Sequence, residues 1–182
     1  LRRGIWIEGR VTDLETGAPA SALVDYYPML SNPHAKDYPN FRSGIMTLPW
    51  QRRYWTDADG RYRVPGLPGA GVVAVRAQGK TDYRTRAGAE EIEATPAGKN
   101  LLTYERSLPY LYHSLKRVDA PEDAKSFACD LGLDPGRTVV LRIVDEAGAA
   151  ATGAEVVGAS PNTVDHNHVV VDAKGEARVR GL

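Results

Sequence analysis

Cysteine is nearly missing from this chain: among 182 residues there is only Cys129. That excludes an intrachain disulfide and a zinc site built on clustered thiolates, so the fold must rest on burial of apolar surface. Net charge is missing as well, since Lys+Arg and Asp+Glu each number 23. A dedicated nucleic-acid binder needs a basic surplus to displace counterions from phosphates, and this chain has none. No apolar run approaches the roughly 18 residues of a membrane helix. Gly-x-Ser-x-Gly, phosphate-loop and His-Glu-x-x-His signatures are all absent, which removes the commonest hydrolase and nucleotide-binding motifs. There is also no initiator Met. The chain opens Leu1-Arg2-Arg3 and stops at Leu182 directly after a strand-like segment. The expectation is an internal piece of a longer protein, whose other domains would be its nearest partners.

What is present is period-two patterning broken by turn residues. Ile5, Ile7 and Val11 fall on one face of a first strand, with Gly9 between them. Asp13-Leu14-Glu15-Thr16-Gly17 reads as a turn, and Ala22–Tyr27 as a second strand. From Met29 to Gln51 the pattern fails, with Pro33, Pro39 and Pro49 marking a long loop. Arg53–Thr56, the turn Asp57-Ala58-Asp59-Gly60 and Arg61–Val64 read as a hairpin. Val72–Ala77 is apolar nearly throughout and predicts a central strand, whereas Ala87–Ala94 suits one or two helical turns. Tyr112–Val118 and Ser126–Leu133 complete the set, and Phe127, Cys129, Leu131 and Leu133 share a face. Cys129 is therefore expected as a small core residue. An all-β, antiparallel sandwich follows, because two sheets packed about 10 Å apart bury one face of each strand.

The opening pattern then recurs. Val11 and Ile143, like Val24 and Val156, stand 132 residues apart, whereas Thr56 and Val171 stand 115 apart. The missing 17 residues amount to most of the Met29–Gln51 loop. A length change confined to one loop is the mark of tandem copies of one unit. The expected division is 1–134 for a first sandwich with an aromatic-rich insertion, and 135–182 for a second, incomplete copy.

The order Asp13-x-x-Thr16-Gly17-x-Pro19, then Thr56-Asp57-x-Asp59-Gly60-x-Tyr62-x-Val64, then Gly66-Leu67-Pro68-Gly69 resembles the carboxypeptidase regulatory-like family. These are small transthyretin-like, or prealbumin-like, β-sandwiches. The resemblance covers the first copy nearly whole and the visible part of the second. It implies a non-catalytic binding or spacing module, needing no cofactor, of an extracytoplasmic bacterial protein. A role in supporting a catalytic domain elsewhere in the parent chain is a further implication.

Three groups of residues deserve weighing as sites. Asp57-x-Asp59-Gly60 opens like a calcium loop, but no downstream bidentate Glu follows and Lys174 replaces Asp59 in the second copy, so a plain turn is expected. His166 and His168 lie two apart, as strand residues sharing one ion would. Intradiol dioxygenases, which resemble this fold, bind ferric iron through a His-x-His pair and two tyrosines; here no tyrosine follows Tyr112. A solvent-facing strand end is the plainer reading, and no metal is expected. Half of the chain's aromatic residues lie between Tyr26 and Trp55, so this stretch is the first place to look for a surface that takes carbohydrate or protein. The candidate ligand-binding set is His34, Tyr38, Phe41, Trp50, Arg52, Tyr54 and Trp55. The same rings have a plainer use, which is to fold a long loop onto the sandwich. The Tyr-Arg-Gly-Ser ending of the transthyretin-like hydroxyisourate hydrolases is absent: Val179-Arg180-Gly181-Leu182 shares only Arg-Gly.

Overall fold

A computed structural model describes residues 4–29, 31–37, 54–78, 83–85, 87–88, 112–158 and 168–182. Among these the chain forms twelve strands: β1 (Ile5–Asp13), β2 (Ala22–Pro28), β3 (Tyr54–Trp55), β4 (Arg61–Gly66), β5 (Gly69–Ala77), β6 (Ser114–Ala120), β7 (Ser126–Ala128), β8 (Leu131–Leu133), β9 (Val139–Arg142), β10 (Glu155–Val157), β11 (His168–Val170) and β12 (Glu176–Val179). One 3-10 turn, Ala35–Asp37, is the only helical element among the described residues.

Strands β1 to β8 make two sheets. One has the order β3-β2-β5-β6; in the other β1 is central, with β4 on one side and β7 and β8 in succession on the other. The inner faces meet in one cluster that includes Ile5, Ile7 and Val11 of β1, Val24 and Tyr26 of β2, Val64 of β4, Val73 and Val75 of β5, and Leu131 and Leu133 of β8. The alternation read from the sequence is thus the alternation of the core. Val72–Ala77 lies in a central strand, as its apolar run predicts: β5 pairs with both β2 and β6. Cys129 is buried in the core cluster.

The structure departs from the sequence reading at several points. The Asp57–Gly60 turn forms, but it does not close a hairpin. β3 pairs with β2 in one sheet and β4 with β1 in the other, so the turn carries the chain between sheets. The strands flanking it are already claimed. The Gly60 carbonyl accepts from Val11 N–H, and Thr56 Oγ1 accepts from Ala22 N–H while donating to the Ala20 carbonyl. The pairing is also not purely antiparallel, since β1 runs parallel to β7 and β8. β2 is buried on both faces rather than one, because a second apolar cluster of Tyr27, Met29, Val72, Ala74, Tyr112 and Leu115 lies on the far side of its sheet. Of the suggested helical turns, Ala87 bridges to Ser114 and Gly88 has φ 83°, while 89–94 lie outside the described residues.

The run Ser126–Leu133 is two strands rather than one, and the reason is local. Trp6↔Ser126 and Val11↔Leu131 keep one register, so the ladder opens at Cys129 and Asp130 without slipping. Cys129 N–H still reaches the Glu8 carbonyl at 2.8 Å, whereas Arg10 N–H is taken by the Asp130 carboxylate at 2.8 Å. Tyr62 is the residue paired with Gly9, and its hydroxyl donates to the Cys129 carbonyl on the far side of β1. The ring crosses β1 where there is no side chain. A Cβ on Gly9 would stand 1.9 Å from the Cys129 oxygen, so this position needs glycine for close approach.

Strands β9 to β12 repeat the first four. Adding 132 to β1 and 115 to β4 turns Ile7↔Val64 into Val139↔Val179, and Gly9↔Tyr62 into Leu141↔Ala177, both observed pairs. The same shifts turn Leu23↔Trp55 into Glu155↔Val170. The turns match bond for bond. Asp57 Oδ1 accepts from Asp59 and Arg61 N–H, and Asp172 Oδ1 from Lys174 and Glu176 N–H. Gly60 and Gly175 follow with φ 75° and 79°, the left-handed region in which glycine alone is unstrained.

Candidate functional site

Of the aromatic set, Tyr38, Phe41, Trp50 and Arg52 lie outside the described residues; His34, Tyr54 and Trp55 are described. Those three are not brought together. Trp55 pairs with Leu23 at the start of β2, and Tyr54 packs against the core cluster. His34 follows the other end of β2, where β2 pairs Pro28 with Gly71. Five strand residues separate the two ends, on the order of 15 Å. Trp55, on a strand at the sheet edge among the described residues, is 43% exposed. His34 has an acidic setting: Nδ1 is 3.7 Å from Asp37 Oδ2 and Nε2 is 3.4 Å from Glu122 Oε1.

The loop that bears His34 is fixed by a residue that sequence reasoning passed over. Asn32 is buried. Its Nδ2 donates to the carbonyls of Pro68 at 2.8 Å and Ala70 at 2.9 Å, while its Oδ1 accepts from His34 N–H. These bonds tie the start of the long loop to the β4–β5 connection. An Asn two residues before a His in a Pro-containing loop is an available signal, because Asx side chains bond backbone groups two residues on.

A polar cluster on the far side of the β3-β2-β5-β6 sheet was equally unmarked. Tyr112 Oη donates to Asp25 Oδ2 at 2.6 Å, and the Tyr112 and Tyr27 hydroxyls are 2.5 Å apart. Asp25, Tyr27 and Tyr112 are all buried. Burial pushes the Tyr112 hydroxyl well above its ordinary value, with the neighbouring Tyr27 and Asp25 adding to the effect. Next to it, His113 Nδ1 accepts from Ala77 N–H at 3.0 Å, which places the hydrogen of the neutral imidazole on Nε2. The clue was a carboxylate in the middle of an apolar strand, followed by two tyrosines.

Tyr26, Tyr62, Tyr83 and Tyr112 each donate a hydroxyl hydrogen bond. Tyr26 gives its hydrogen to the Leu67 carbonyl, and burial raises it to about 12. Burial raises Tyr62 further. His166 lies outside the described residues. His168 is described, and its Nε2 sits 2.9 Å from Glu155 Oε2 across β10 and β11, with both side chains more than half exposed. Among the described residues no group of three or more His, Cys, Asp or Glu is placed to hold a metal. At the calcium-like sequence, Asp57 Oδ1 is occupied by backbone N–H groups, as a turn requires.

Two clefts meet at Gly136, after the first set of strands. One, of about 570 Å³, is lined by Asp13, Glu15, Thr16, Tyr83, Pro135, Gly136, Thr138 and Arg180. The other, of about 500 Å³, is lined by Arg84, Asp134, Gly136, Arg137 and Leu182. Asp13 is committed within the first: Oδ1 accepts from Glu15 N–H, Thr16 N–H and Thr16 Oγ1, and Oδ2 from Tyr83 Oη at 3.0 Å. The Thr16 N–H chiefly holds its carboxyl below the usual value, against a smaller opposing effect of burial. Its chemistry is that of an anchored turn.

The described chain is an all-β sandwich in which buried polar groups close turns and strand ladders. No family model matches the sequence, and no curated protein matches it. Among solved structures, a streptococcal ancillary pilin is similar at 14% identity and TM-score 0.44, over 99% of this chain and 50% of that one. The group B streptococcus pilus 2b backbone protein is similar at 16% identity and TM-score 0.37, over 74% and 42%. A DUF3823 family protein from Parabacteroides merdae is similar at 9% and 0.35, over 99% and 81%. The chain spans half the length or less of the two pilus proteins. Likeness at this level assigns no family.

Proposed function

We propose that the chain is a non-catalytic binding or spacing module of the carboxypeptidase regulatory-like type, built as two tandem units at 1–134 and 135–182, in an extracytoplasmic bacterial protein. The observation that supports it is what the repeat keeps and what it changes. Asp57 and Gly60 persist as Asp172 and Gly175, and Val64 persists as Val179, all of them turn or core residues. Polar and large residues are exchanged: Asp25 corresponds to Val157, Tyr62 to Ala177 and Asp59 to Lys174. Catalysis needs particular side chains held in place, whereas a spacer needs only the scaffold. The location and the parent architecture rest on the sequence resemblance.

Within this reading the aromatic stretch supplies the binding surface, with Trp55 as its described and exposed member, for carbohydrate or protein. Titrating purified chain with panels of oligosaccharides and peptides, read by tryptophan fluorescence, tests it. A saturable change lost in Trp55→Ala and Trp50→Ala supports binding. Silence across both panels leaves spacing alone. Stoichiometric iron with the colour of tyrosinate coordination overturns the non-catalytic reading.

A further inference from the structure

The first strand of the first unit, β1, and its last, β8, are neighbours in one sheet and run parallel, as β1 and β7 do. The chain therefore enters the sheet at Ile5, one end of the strands, and leaves it at Leu133, the other. An antiparallel pair would bring both points to the same end. Tension between the two ends of the unit thus acts along the strands. It slides β8 past β1 rather than lifting the two apart.

The bonds that resist sliding are spread over the length of β1. Trp6 N–H donates to the Lys125 carbonyl at 3.1 Å, Cys129 N–H to the Glu8 carbonyl at 2.8 Å, Arg10 N–H to the Asp130 carboxylate at 2.8 Å, and Leu14 N–H to the Leu133 carbonyl at 3.0 Å. Bonds of a parallel ladder are evenly spaced, so a load along the strands falls on them together. Where the ladder opens, side chains add links. The Tyr62 hydroxyl holds the Cys129 carbonyl, and Lys116 Nζ donates to the Asp130 carbonyl at 3.1 Å. On its other side β1 is paired with β4 from Ile5↔Gly66 to Arg10↔Arg61, so drawing β1 out must loosen two ladders. The exit is braced as well: the Asp134 carbonyl accepts from Arg84 N–H and its Oδ1 from Gly136 N–H, both at 2.8 Å. Only residues 134–138 join β8 to β9, and Pro135 among them has a fixed φ, which leaves little slack.

We propose that the first unit is a tension-bearing clamp, in which β1 and the β7–β8 pair take a pull along the chain in shear, with Tyr62 and Asp130 locking the open point of the ladder. Such a clamp rests on the spacing role and gives it a mechanical content. The two are separable, because ligand and metal binding test the spacing role and force tests the clamp.

The full chain is stretched in two ways at one loading rate. In the first, handles hold its two termini. In the second, one handle holds the amino terminus and the other is attached through Lys125→Cys, an exposed position, while native Cys129 is buried. The second geometry pulls at one end of the β1–β7 pair, beside Trp6↔Ser126, and peels it. Rupture of the first unit is recognised by a released length of roughly 3.5 Å per residue. End-to-end pulling should require at least about twofold more force than peeling, because evenly spaced bonds share the load in one case and part singly in the other. Tyr62→Phe and Asp130→Ala should each lower the end-to-end force and leave the force that starts peeling unchanged, since the Trp6–Lys125 bond parts first there. A general loss of stability lowers both. Equal forces in the two geometries, a matching fall of both forces in the variants, or an end-to-end force that neither variant moves overturns the clamp.

Discussion

The Tyr62 hydroxyl reaches across Gly9 to the carbonyl of Cys129, linking β4 to the break between β7 and β8 over the top of β1. One side chain thereby binds three neighbouring strands where the backbone ladder is open. Tyr62→Phe keeps the ring and removes the donor. The expected loss is about 1–3 kcal/mol, the usual cost of leaving a buried acceptor unmet, measured by urea denaturation with an unchanged m-value.

Gly9 is the other half of that arrangement. Gly9→Ala puts a methyl 1.9 Å from the Cys129 oxygen, so β1 and the β7–β8 break must move apart. The expected cost exceeds about 3 kcal/mol, as for severe overpacking. Gly17→Ala is the control: its φ is 69° but nothing lies within 4 Å of the added Cβ. It should cost about 1 kcal/mol, a backbone penalty alone. Equal losses in the two variants would contradict the close-approach account.

Much of this was legible beforehand, and the reasons are particular. Ile5, Ile7 and Val11 announced their face because a half-buried strand must alternate, and Asp57 with Gly60 announced a turn because few residues cap one. What the sequence did not disclose was which strands a turn joins. The Asp57–Gly60 turn looks the same whether it closes a hairpin or crosses between sheets, since the difference lies in β1 and β2, far away in the chain. The cluster of Asp25, Tyr27 and Tyr112 was hidden for a related reason, since Tyr112 lies 85 positions beyond Tyr27. Of the candidate binding set, the sequence placed Trp55 on a strand and His34 in a loop correctly. It had no means of showing that β2 holds them apart.

Titration should destabilise the protein at both extremes. In the fold, hydrogen bonds hold the Asp13 carboxyl below its ordinary 3.8, so its contribution is present above that value and lost as pH falls through the folded-state value. Asp13→Asn should flatten the acid limb of the stability curve. At the alkaline end the sign reverses: Tyr26 is raised from 10.0 to about 12, so its contribution is whole below pH 10 and disappears between there and about 12. Tyrosinate absorbance should show this group ionising late, and together with unfolding. Early reversible ionisation of every tyrosine would contradict the burial.

Val64 and its counterpart Val179 are both buried. Truncating either to alanine removes two methylene equivalents and a small cavity's worth of contacts, roughly 2 kcal/mol. If 1–134 and 135–182 are separate units, Val64→Ala should lower one calorimetric transition and Val179→Ala another. A single transition shifted by both variants would join the units into one cooperative body.

The parallel strands β7 and β8 also order events in time. Arg10 N–H waits for the Asp130 carboxylate, 120 positions later in the chain. At a synthesis rate of about 5–20 residues per second the interval is on the order of ten seconds. Throughout it the nascent chain carries a strand with one side unmatched, so the ribosome releases β1 long before the partner that seals it exists. Such a long-range closure is slow to form even from a finished chain, and that interval is when a chaperone has most to protect.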